Sequence, residues 1–430
     1  MPKGKKKGKS DRSRVDGSLQ TSDDDSFENA SVMSNYSENH SVDENNDGAD
    51  DYVPDQQHED KLNDIVDGLM QKSSQGRTNC YTMLRNALIK KHAPAFVKDR
   101  LFTLCDCVEK SLKKGIAAEV TEAAELATVM AVQLGVDESA DGVWQSLRPI
   151  LLAIACDKAA TPLVRAKCCA TLGNIAFLTD VEVGEILTLM QQLEAIFAGS
   201  YLKGDGIAPN VTTEVAQLHA AALSSWSLLF TLMAPGNIAT MMNNSKVLPT
   251  LEHLSELLES SHLELRLSAG EALVLVFELG REEDKDFAED FALDIAETLR
   301  QLATDSHKYR AKKDRKQQRA TFREVLQYIE NDTASDVQIK IGRRVLPLNS
   351  WVKRKHYDTL CNILGPSINI HLLENDLLKD ILEIEPVEES RILAHTQNQI
   401  DRAKRKVLNA ANFKARTISR AKNRDKRSDF

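Results

Sequence analysis

Aromatic residues are scarce in this chain: Phe, Trp and Tyr together make up 5% of its 430 residues. Glycine and proline are also few, with 19 and 11 residues, whereas 42% of the chain is hydrophobic. Sheet-rich folds use aromatic strands and turns built from glycine and proline, so this composition argues against them. The abundant Leu, Ala and Glu favour α-helices instead.

The sequence also lacks the arrangements that hold a metal. Its 7 cysteines include no CxxC pair, and most lie in apolar, helix-like segments, so we interpret all of them as reduced core residues. Its 10 histidines are dispersed, and none is spaced for a metal site with a second good ligand. We therefore expect no metal and no cofactor.

Catalytic motifs are missing as well. The chain contains no GxxxxGK[ST], GxGxxG, HExxH or GxSxG sequence, the patterns that cradle phosphates, bind zinc or activate a serine. We expect no catalytic residue, no small-molecule substrate and a protein that is not an enzyme.

Secretion and membrane insertion are not indicated by the sequence. The first ten residues, "MPKGKKKGKS", have no apolar segment of the kind that a secretory signal needs. The uncharged stretch from Val215 to Ser245 contains Gln217, His219 and a Pro235-Gly236 break, which favours a buried helix over a membrane span. We expect a soluble intracellular protein in the cytoplasm, with the nucleus left open as a further location.

Charge is distributed unevenly along the chain, although the whole has a formal net charge of −9. Residues 1–60 hold 7 basic and 15 acidic side chains, residues 61–306 hold 21 and 33, and residues 307–430 hold 27 and 16. Positive charge is therefore concentrated in the last third of an otherwise acidic protein, which points to an anionic partner for that third.

Residues 1–60 are predicted to be a disordered tail, basic at first and then acidic. Their polar, serine-rich composition leaves almost nothing to bury. Ser22 and Ser41 each precede an acidic residue by three positions, a context that acidophilic kinases prefer, so both are possible phosphorylation sites.

Residues 61–306 show a loose repeat that predicts stacked helix pairs. Each copy has a basic residue, compact or apolar residues three and four positions later, and a leucine seven positions later. The three clear copies are "GRTNCYTML" from Gly76, "VRAKCCATLG" from Val164 and "LRLSAGEAL" from Leu265. Weaker copies begin at Val120 and Ala216, and the spacing of roughly 44 to 52 residues is typical of HEAT or armadillo repeats. A generic helical bundle is the alternative. The predicted partner helices are Pro94–Lys113, Val143–Cys156, Val183–Phe197, Leu248–Glu259 and Phe287–Leu302.

Residues 307–386 are predicted to form a basic helix followed by a small C-terminal domain. Phe322, Val325, Leu326 and Ile329 make an apolar stripe on the second half of the helix, whereas its first half is polar on every side. The small domain would contain a hairpin that turns at Gly342, a helix from Ser350 to Leu364, and a helix from Ile368 to Ile384. Residues 387–430 are a basic tail with few apolar residues, expected to become helical mainly when bound.

The basic clusters of this last third are the candidate functional residues, because phosphate backbones reward dense positive charge by releasing counterions. Their shortage of aromatics favours contacts with the phosphates and shape of structured RNA over base stacking. A solvated basic face or a nuclear-import signal is the alternative. The candidate RNA-binding residues are Lys308, Arg310, Lys312, Lys313, Arg315, Lys316, Arg319, Arg323, Arg343, Arg344, Lys353, Arg354, Lys355, Arg402, Lys404, Arg405, Lys406, Lys414, Arg416, Arg420, Lys422, Arg424, Lys426 and Arg427.

Several segments resemble the interferon-related developmental regulator family. They are "SYLKG" at 200–204, "AGEALVLVFEL" at 269–279, "ATDSHKYRAKKDRKQQRATFREVL" at 303–326, "WVKRKHYDTL" at 351–360 and "NFKARTISRAKNRDKRSD" at 412–429. The resemblance implies an armadillo-like fold with a small C-terminal domain. It also implies a ribosome-bound repressor of translation that sends a C-terminal helix into the messenger path. A second role attached to the family is transcriptional co-regulation through corepressor or deacetylase complexes.

Overall fold

The computed structural model describes residues 55–242, 248–304, 311–341 and 344–384. Helices dominate these residues, and the predicted all-α class with a small hairpin is confirmed. Most of the predicted N-terminal tail and all of residues 387–430 lie outside the described residues. Residues 55–60, which the sequence assigned to the tail, instead begin the first described helix.

The described chain is a succession of helices, with one pair of short strands near its C-terminal end. The helices are α1 Asp55–Gly68, α2 Ser74–Lys90, α3 Pro94–Asp99, α4 Leu101–Lys114, α5 Ala117–Leu134, α6 Ser139–Cys156, α7 Pro162–Leu178, α8 Val183–Phe197, α9 Thr213–Phe230, α10 Pro235–Met242, α11 Leu251–Glu256, α12 Leu263–Glu283, α13 Glu289–Thr304, α14 Lys312–Asn331, α15 Trp351–Leu364, α16 Ile368–Glu374 and α17 Asp376–Ile381, and the strands are β1 Val337–Ile341 and β2 Arg344–Leu348. None of the helices in these ranges is long and apolar enough to cross a membrane.

The helices stack in two layers, as the repeat predicted. The inner layer comprises α2, α5, α7, α9, α12 and α14, each packed on the next, and the outer layer comprises α4, α6, α8, α10, α11 and α13. All five copies of the sequence repeat fall on inner helices, where small residues allow close approach. A methyl group at Gly173 of α7, for example, would come within 2.7 Å of the Ser225 Cβ on α9.

Most of the predicted partner helices are found in the outer layer. Val183–Phe197 is observed with both bounds as predicted. The segment 94–113 is divided into α3 and α4 at Arg100, whose side chain bonds back to Asn63 and stacks over the Phe96 ring. The domain boundary at 306/307 stays a prediction, but α14 packs on both α12 and α13 and so continues the stack.

The strands β1 and β2 form the predicted hairpin. They pair antiparallel with Val337 opposite Leu348 and Ile341 opposite Arg344. The turn at Gly342 lies outside the described residues. Ile341, Leu346 and Leu348 are buried, so the hairpin turns one face toward the protein.

The last three helices, α15 to α17, form a third layer on the inner layer. The Glu278 carboxylate of α12 accepts the backbone N–H groups of Trp351 and Val352 at 2.9 and 2.8 Å, which fixes the start of α15. At the far end, His371 lies 2.8 Å from the carbonyl oxygen of Ile89 on α2. The third layer therefore crosses the inner layer from α12 to α2.

The helix predicted over Ile368–Ile384 is interrupted. Asn375 ends α16 and caps α17 by accepting the Leu378 N–H, and its amide group donates to the Val132 carbonyl at 2.6 Å. A polar side chain committed to both a cap and the inner layer breaks the helix into two short ones, which the apolar pattern alone did not reveal.

Candidate nucleic-acid interface

Helix α14 is anchored to the stack by one face. Phe322 and Val325 are fully buried. A methyl group added to Gly270 of α12 would lie only 2.9 Å from the Phe322 ring, so the two helices are in close contact. Gln318 is also buried, and its amide oxygen accepts hydrogen bonds from the Arg266 guanidinium at 2.6 and 3.2 Å. The first half of the helix is thereby fixed in orientation although it is mostly polar.

The opposite side of α14 carries a row of cations. Lys312, Lys316, Arg319 and Arg323, which we call the cation row, are spaced by four, three and four residues and so share one helical face. The row is about 16 Å long at 1.5 Å per residue. Three of its members are exposed and Arg319 is half-buried.

The cation row has no internal counter-charge within the described structure. Neither its four side chains nor the neighbouring Lys313 and Arg315 form an ion pair with a described carboxylate. Charged surface side chains normally neutralise one another, so adjacent cations without partners repel each other unless an anion binds. The row can therefore bind a chain of phosphates without breaking any described ion pair.

Several other basic residues of the last third lie outside the described residues or are described only in part. Lys308, Arg310 and Arg343 fall outside the described residues, as do the tail residues from Arg402 to Arg427. Arg344 lies in β2, but its side chain is not described. Lys340 on β1 is exposed.

The prediction is wrong for Arg354 and Lys355, which are buried and cannot meet RNA. Only 3% and 4% of these residues are exposed. The Arg354 guanidinium lies 3.2 Å from the Glu324 carboxylate and 2.9 Å from the Ser335 hydroxyl. The Lys355 ammonium donates to the Ser224 hydroxyl at 2.8 Å and to the Glu271 carboxylate at 2.6 Å.

Lys353, which begins the basic run 353–355, is half-buried and pairs with Glu383 just after α17. Arg354 and Lys355 therefore hold the third layer to α9, α12 and α14, whereas Lys353 forms an ion pair within the third layer. Lys355 lies one helical turn after the buried Trp351 and one turn before the buried Thr359. That periodicity is the sequence signal that could have placed it inside.

The electrostatics of α15 reflect its burial. Burial, reinforced by the neighbouring Glu271 carboxylate, raises the pKa of Asp358 to about 7. Burial lowers the pKa of His356 to about 4, and its ring lies 2.8 Å from the Thr231 hydroxyl and packs on Phe177. These groups favour their neutral forms, as expected for side chains withdrawn from water.

The described chain ends within the third layer. Its last residue, Ile384, directly follows Glu383, whose partner Lys353 precedes Arg354. Arg354 pairs with Glu324, which directly follows Arg323 of the cation row.

The cysteines match the sequence interpretation in part. Cys105, Cys107, Cys168 and Cys169 are buried and free, but Cys156 is exposed at the end of α6, so the core interpretation is wrong for that residue. Within the described ranges, no group of three or more His, Cys, Asp or Glu side chains could hold a metal ion.

Comparison with known proteins covers most of the chain. The family described as interferon-related developmental regulator matches residues 29–330. A second family, described as interferon-related protein conserved region, matches residues 375–428. The two matches include all of α14 except Asn331, and residues 387–428 of the basic tail.

Individual relatives carry corresponding names. The chain is 36% identical over 372 residues to interferon-related developmental regulator 2 of Mus musculus, covering 86% of this chain and 83% of the relative. It is 34% identical over 369 residues to interferon-related developmental regulator 1 of Homo sapiens, covering 86% and 81%. An uncharacterized protein of Schizosaccharomyces pombe is 32% identical over 152 residues, covering 30% of this chain and 34% of the relative. The first two are named as regulators rather than as enzymes.

Proposed function

The chain belongs to the interferon-related developmental regulator family, and from this premise we propose that it is a non-catalytic ribosome-binding protein that represses translation. It would act by occupying functional sites of the ribosome. The cation row and the basic tail would contact ribosomal RNA, and the acidic repeats would serve as the scaffold that presents them. Its main location would be the cytoplasm.

The observation that carries the proposal is that the cation row, on a firmly docked helix, forms no ion pair with the described residues. Because the helix is already fixed, binding several phosphates would restrict the four side chains of the row but no additional backbone. The acidic repeats would repel RNA elsewhere on the surface, which restricts contact to the basic elements.

The alternative is a nuclear transcriptional co-regulator whose repeat face binds corepressor or deacetylase complexes. Two observations argue against this alternative. The inner layer, the expected protein-binding face, is crossed by the chain's own α15 to α17. The short basic run 353–355, a possible import signal, is held in internal ion pairs.

Sedimentation with ribosomes in a sucrose gradient tests the proposal. The full chain should move with ribosomes at low salt and dissociate at high salt, because counterion release drives phosphate contacts. Nuclear residence together with no ribosome association at any salt concentration would favour the co-regulator and contradict the proposal.

The tail can be tested separately within the same assay. Neutralising Arg416, Arg420, Lys422 and Arg424 together should relieve translational repression, and truncation after Asp401 should do at least as much. If about six phosphates contact the tail, its share of the log–log salt slope is about −4 to −5. Full repression by the truncated chain would show that the tail has no part in it.

A further inference from the structure

Exposed apolar side chains with acidic neighbours lie where α16 of the third layer meets the end of α5, away from the cation row. Ile370 and Leu373 occupy the outward face of α16, one helical turn apart, and are 40% and 55% exposed. Val136 is 69% exposed and follows Gly135, whose position lies against Asn375 and Leu377 at the α16–α17 junction. We call these three exposed side chains the α16 patch.

The rim of the α16 patch is negatively charged. Glu138, Glu374 and Asp380 are exposed, and none of them forms an ion pair with a described residue. Exposed apolar side chains that have such carboxylates as neighbours in the chain are suited to an amphipathic segment that is apolar on one side and basic on the other.

The chain itself contains such a segment just beyond the described residues. Between residues 400 and 413, Ile400, Ala403 and Val407 recur at helical spacing. Arg402, Arg405 and Lys406 fall on the opposite side of such a helix, and Lys404 falls beside the apolar stripe. Sixteen residues separate Ile384 from Ile400, a reach of up to about 50 Å when extended. The α16 patch is within that reach, because α16 and α17 immediately precede Ile384.

We propose that residues 400–413 dock on the α16 patch in the ribosome-free chain. The interaction is intramolecular, so a weak contact suffices to hold the segment at the high effective concentration that a short linker provides. The same basic side chains are among those proposed to bind RNA, so RNA has to displace the segment from the patch. The docking claim stands by itself, whereas the competition with RNA rests on the proposed function.

Hydrogen exchange in the free, full-length chain tests the docking without any RNA. Amides in 400–413 should exchange more slowly than those in 414–430, and Leu373→Lys should accelerate them about tenfold, the factor expected from losing one apolar anchor and adding a like charge. The control is Leu293→Lys, because Leu293 is 71% exposed on the outer helix α13. This control should leave the exchange unchanged.

Two outcomes would overturn the docking. Equal exchange of residues 400–413 and 414–430 in the unaltered chain would show that the patch does not hold the segment. Protection that disappears on dilution would mean that a second copy of the chain covers the patch instead.

Ribosome binding by the same variants tests the competition separately. Leu373→Lys should bind ribosomes up to about tenfold more tightly at low salt than either the unaltered chain or Leu293→Lys, because its tail is already released. Unchanged affinity together with confirmed protection would overturn the competition. Absence of ribosome binding by every form would contradict the proposed function while the exchange result still decides the docking.

Discussion

The Nζ atom of Lys355 lies 2.6 Å from an Oε2 atom of Glu271, joining the third layer to helix α12 of the inner layer. This region contains two kinds of lysine, which differ in their burial and in their ion pairs. Lys355 is buried with a carboxylate and a hydroxyl around it, whereas Lys312 and Lys316 are exposed on α14 without an ion pair to any described residue. One kind holds the fold, and the other is free to meet a partner.

Replacing Lys355 should therefore cost stability, whereas replacing Lys312 should not. Lys355→Met leaves the half-buried Glu271 carboxylate without its cation, so the free energy of unfolding should fall by about 1–3 kcal/mol. Lys312→Met should change it by less than about 0.5 kcal/mol. Denaturant titration of both variants checks this difference, and equal stabilities would contradict the internal role of Lys355.

Asp358 should give the third layer a pH-dependent stability. Its pKa of about 7 in the folded chain exceeds the value of about 4 for an unfolded aspartate. Between these two values the folded chain binds the additional proton, so this group makes stability fall as the pH rises from about 4 to about 7. His356, with its pKa lowered to about 4, acts in the opposite direction from about 4 to its unfolded value of about 6.5.

The variant Asp358→Asn separates these two effects. The melting temperature of the variant minus that of the unaltered chain should become more positive between pH 4.5 and pH 7.5, because only the Asp358 contribution is removed. Asp64→Asn, at an exposed position on α1, is the control for loss of one charge. A temperature difference that stays constant over this range would contradict a raised pKa at Asp358.

Gly173 should be intolerant of a methyl group. In Gly173→Ala the added Cβ would lie 2.7 Å from the Ser225 Cβ and 3.2 Å from its Cα, so helices α7 and α9 would have to move apart. We expect a loss of about 1–3 kcal/mol from this overpacking. Gly184→Ala in α8 meets nothing within 4 Å, and it should be neutral or slightly stabilising. Thermal unfolding of both variants tests the close packing of the inner layer.

The acidic N-terminal segment should weaken RNA binding by competing for the basic surface. Residues 1–54 contain 7 basic and 12 acidic side chains, and phosphorylation of Ser22 or Ser41 would add negative charge. Deleting residues 1–54 leaves helix α1 complete and should tighten ribosome binding at low salt, where charge is least screened. Equal or weaker binding by the shortened chain would contradict this competition.

Much of the fold could be predicted because each inner helix repeats the same packing problem. Compact residues such as Gly173 and Gly270 recur where neighbouring helices approach, so the repeat is visible in the sequence. The sequence predicts α15 from Ser350 to Leu364. It does not predict that α15 docks on the inner layer, because this helix is buried on more than one side and its apolar stripe is interrupted by Arg354 and Lys355. A single sequence does not show that these two cations meet Glu324 and Glu271, which lie 30 and 84 residues away in the chain.

The candidate site could be predicted only in part. The stripe of Phe322, Val325 and Ile329 predicts the docked face of α14. The first half of the helix reads as polar on every side, so the cation row becomes distinct only in the structure, where Gln318 is buried. Short basic runs cannot be sorted into solvent-facing and internal ones by charge alone. In the structure, Arg354 and Lys355 differ from the cation row because they meet carboxylates of α14 and α12, and Lys353 differs because it pairs with Glu383.

The central claim, that the cation row binds ribosomal RNA, is tested most directly by the salt dependence of ribosome affinity. The test variant replaces Lys312, Lys316, Arg319 and Arg323 with glutamine. A control variant removes the same charge by replacing four exposed lysines outside α14, namely Lys61, Lys72, Lys114 and Lys158. The cation-row variant should bind more weakly and have a log–log salt slope shallower by about 3, whereas the control should keep the slope of the unaltered chain. An unchanged slope in the cation-row variant would contradict the claim.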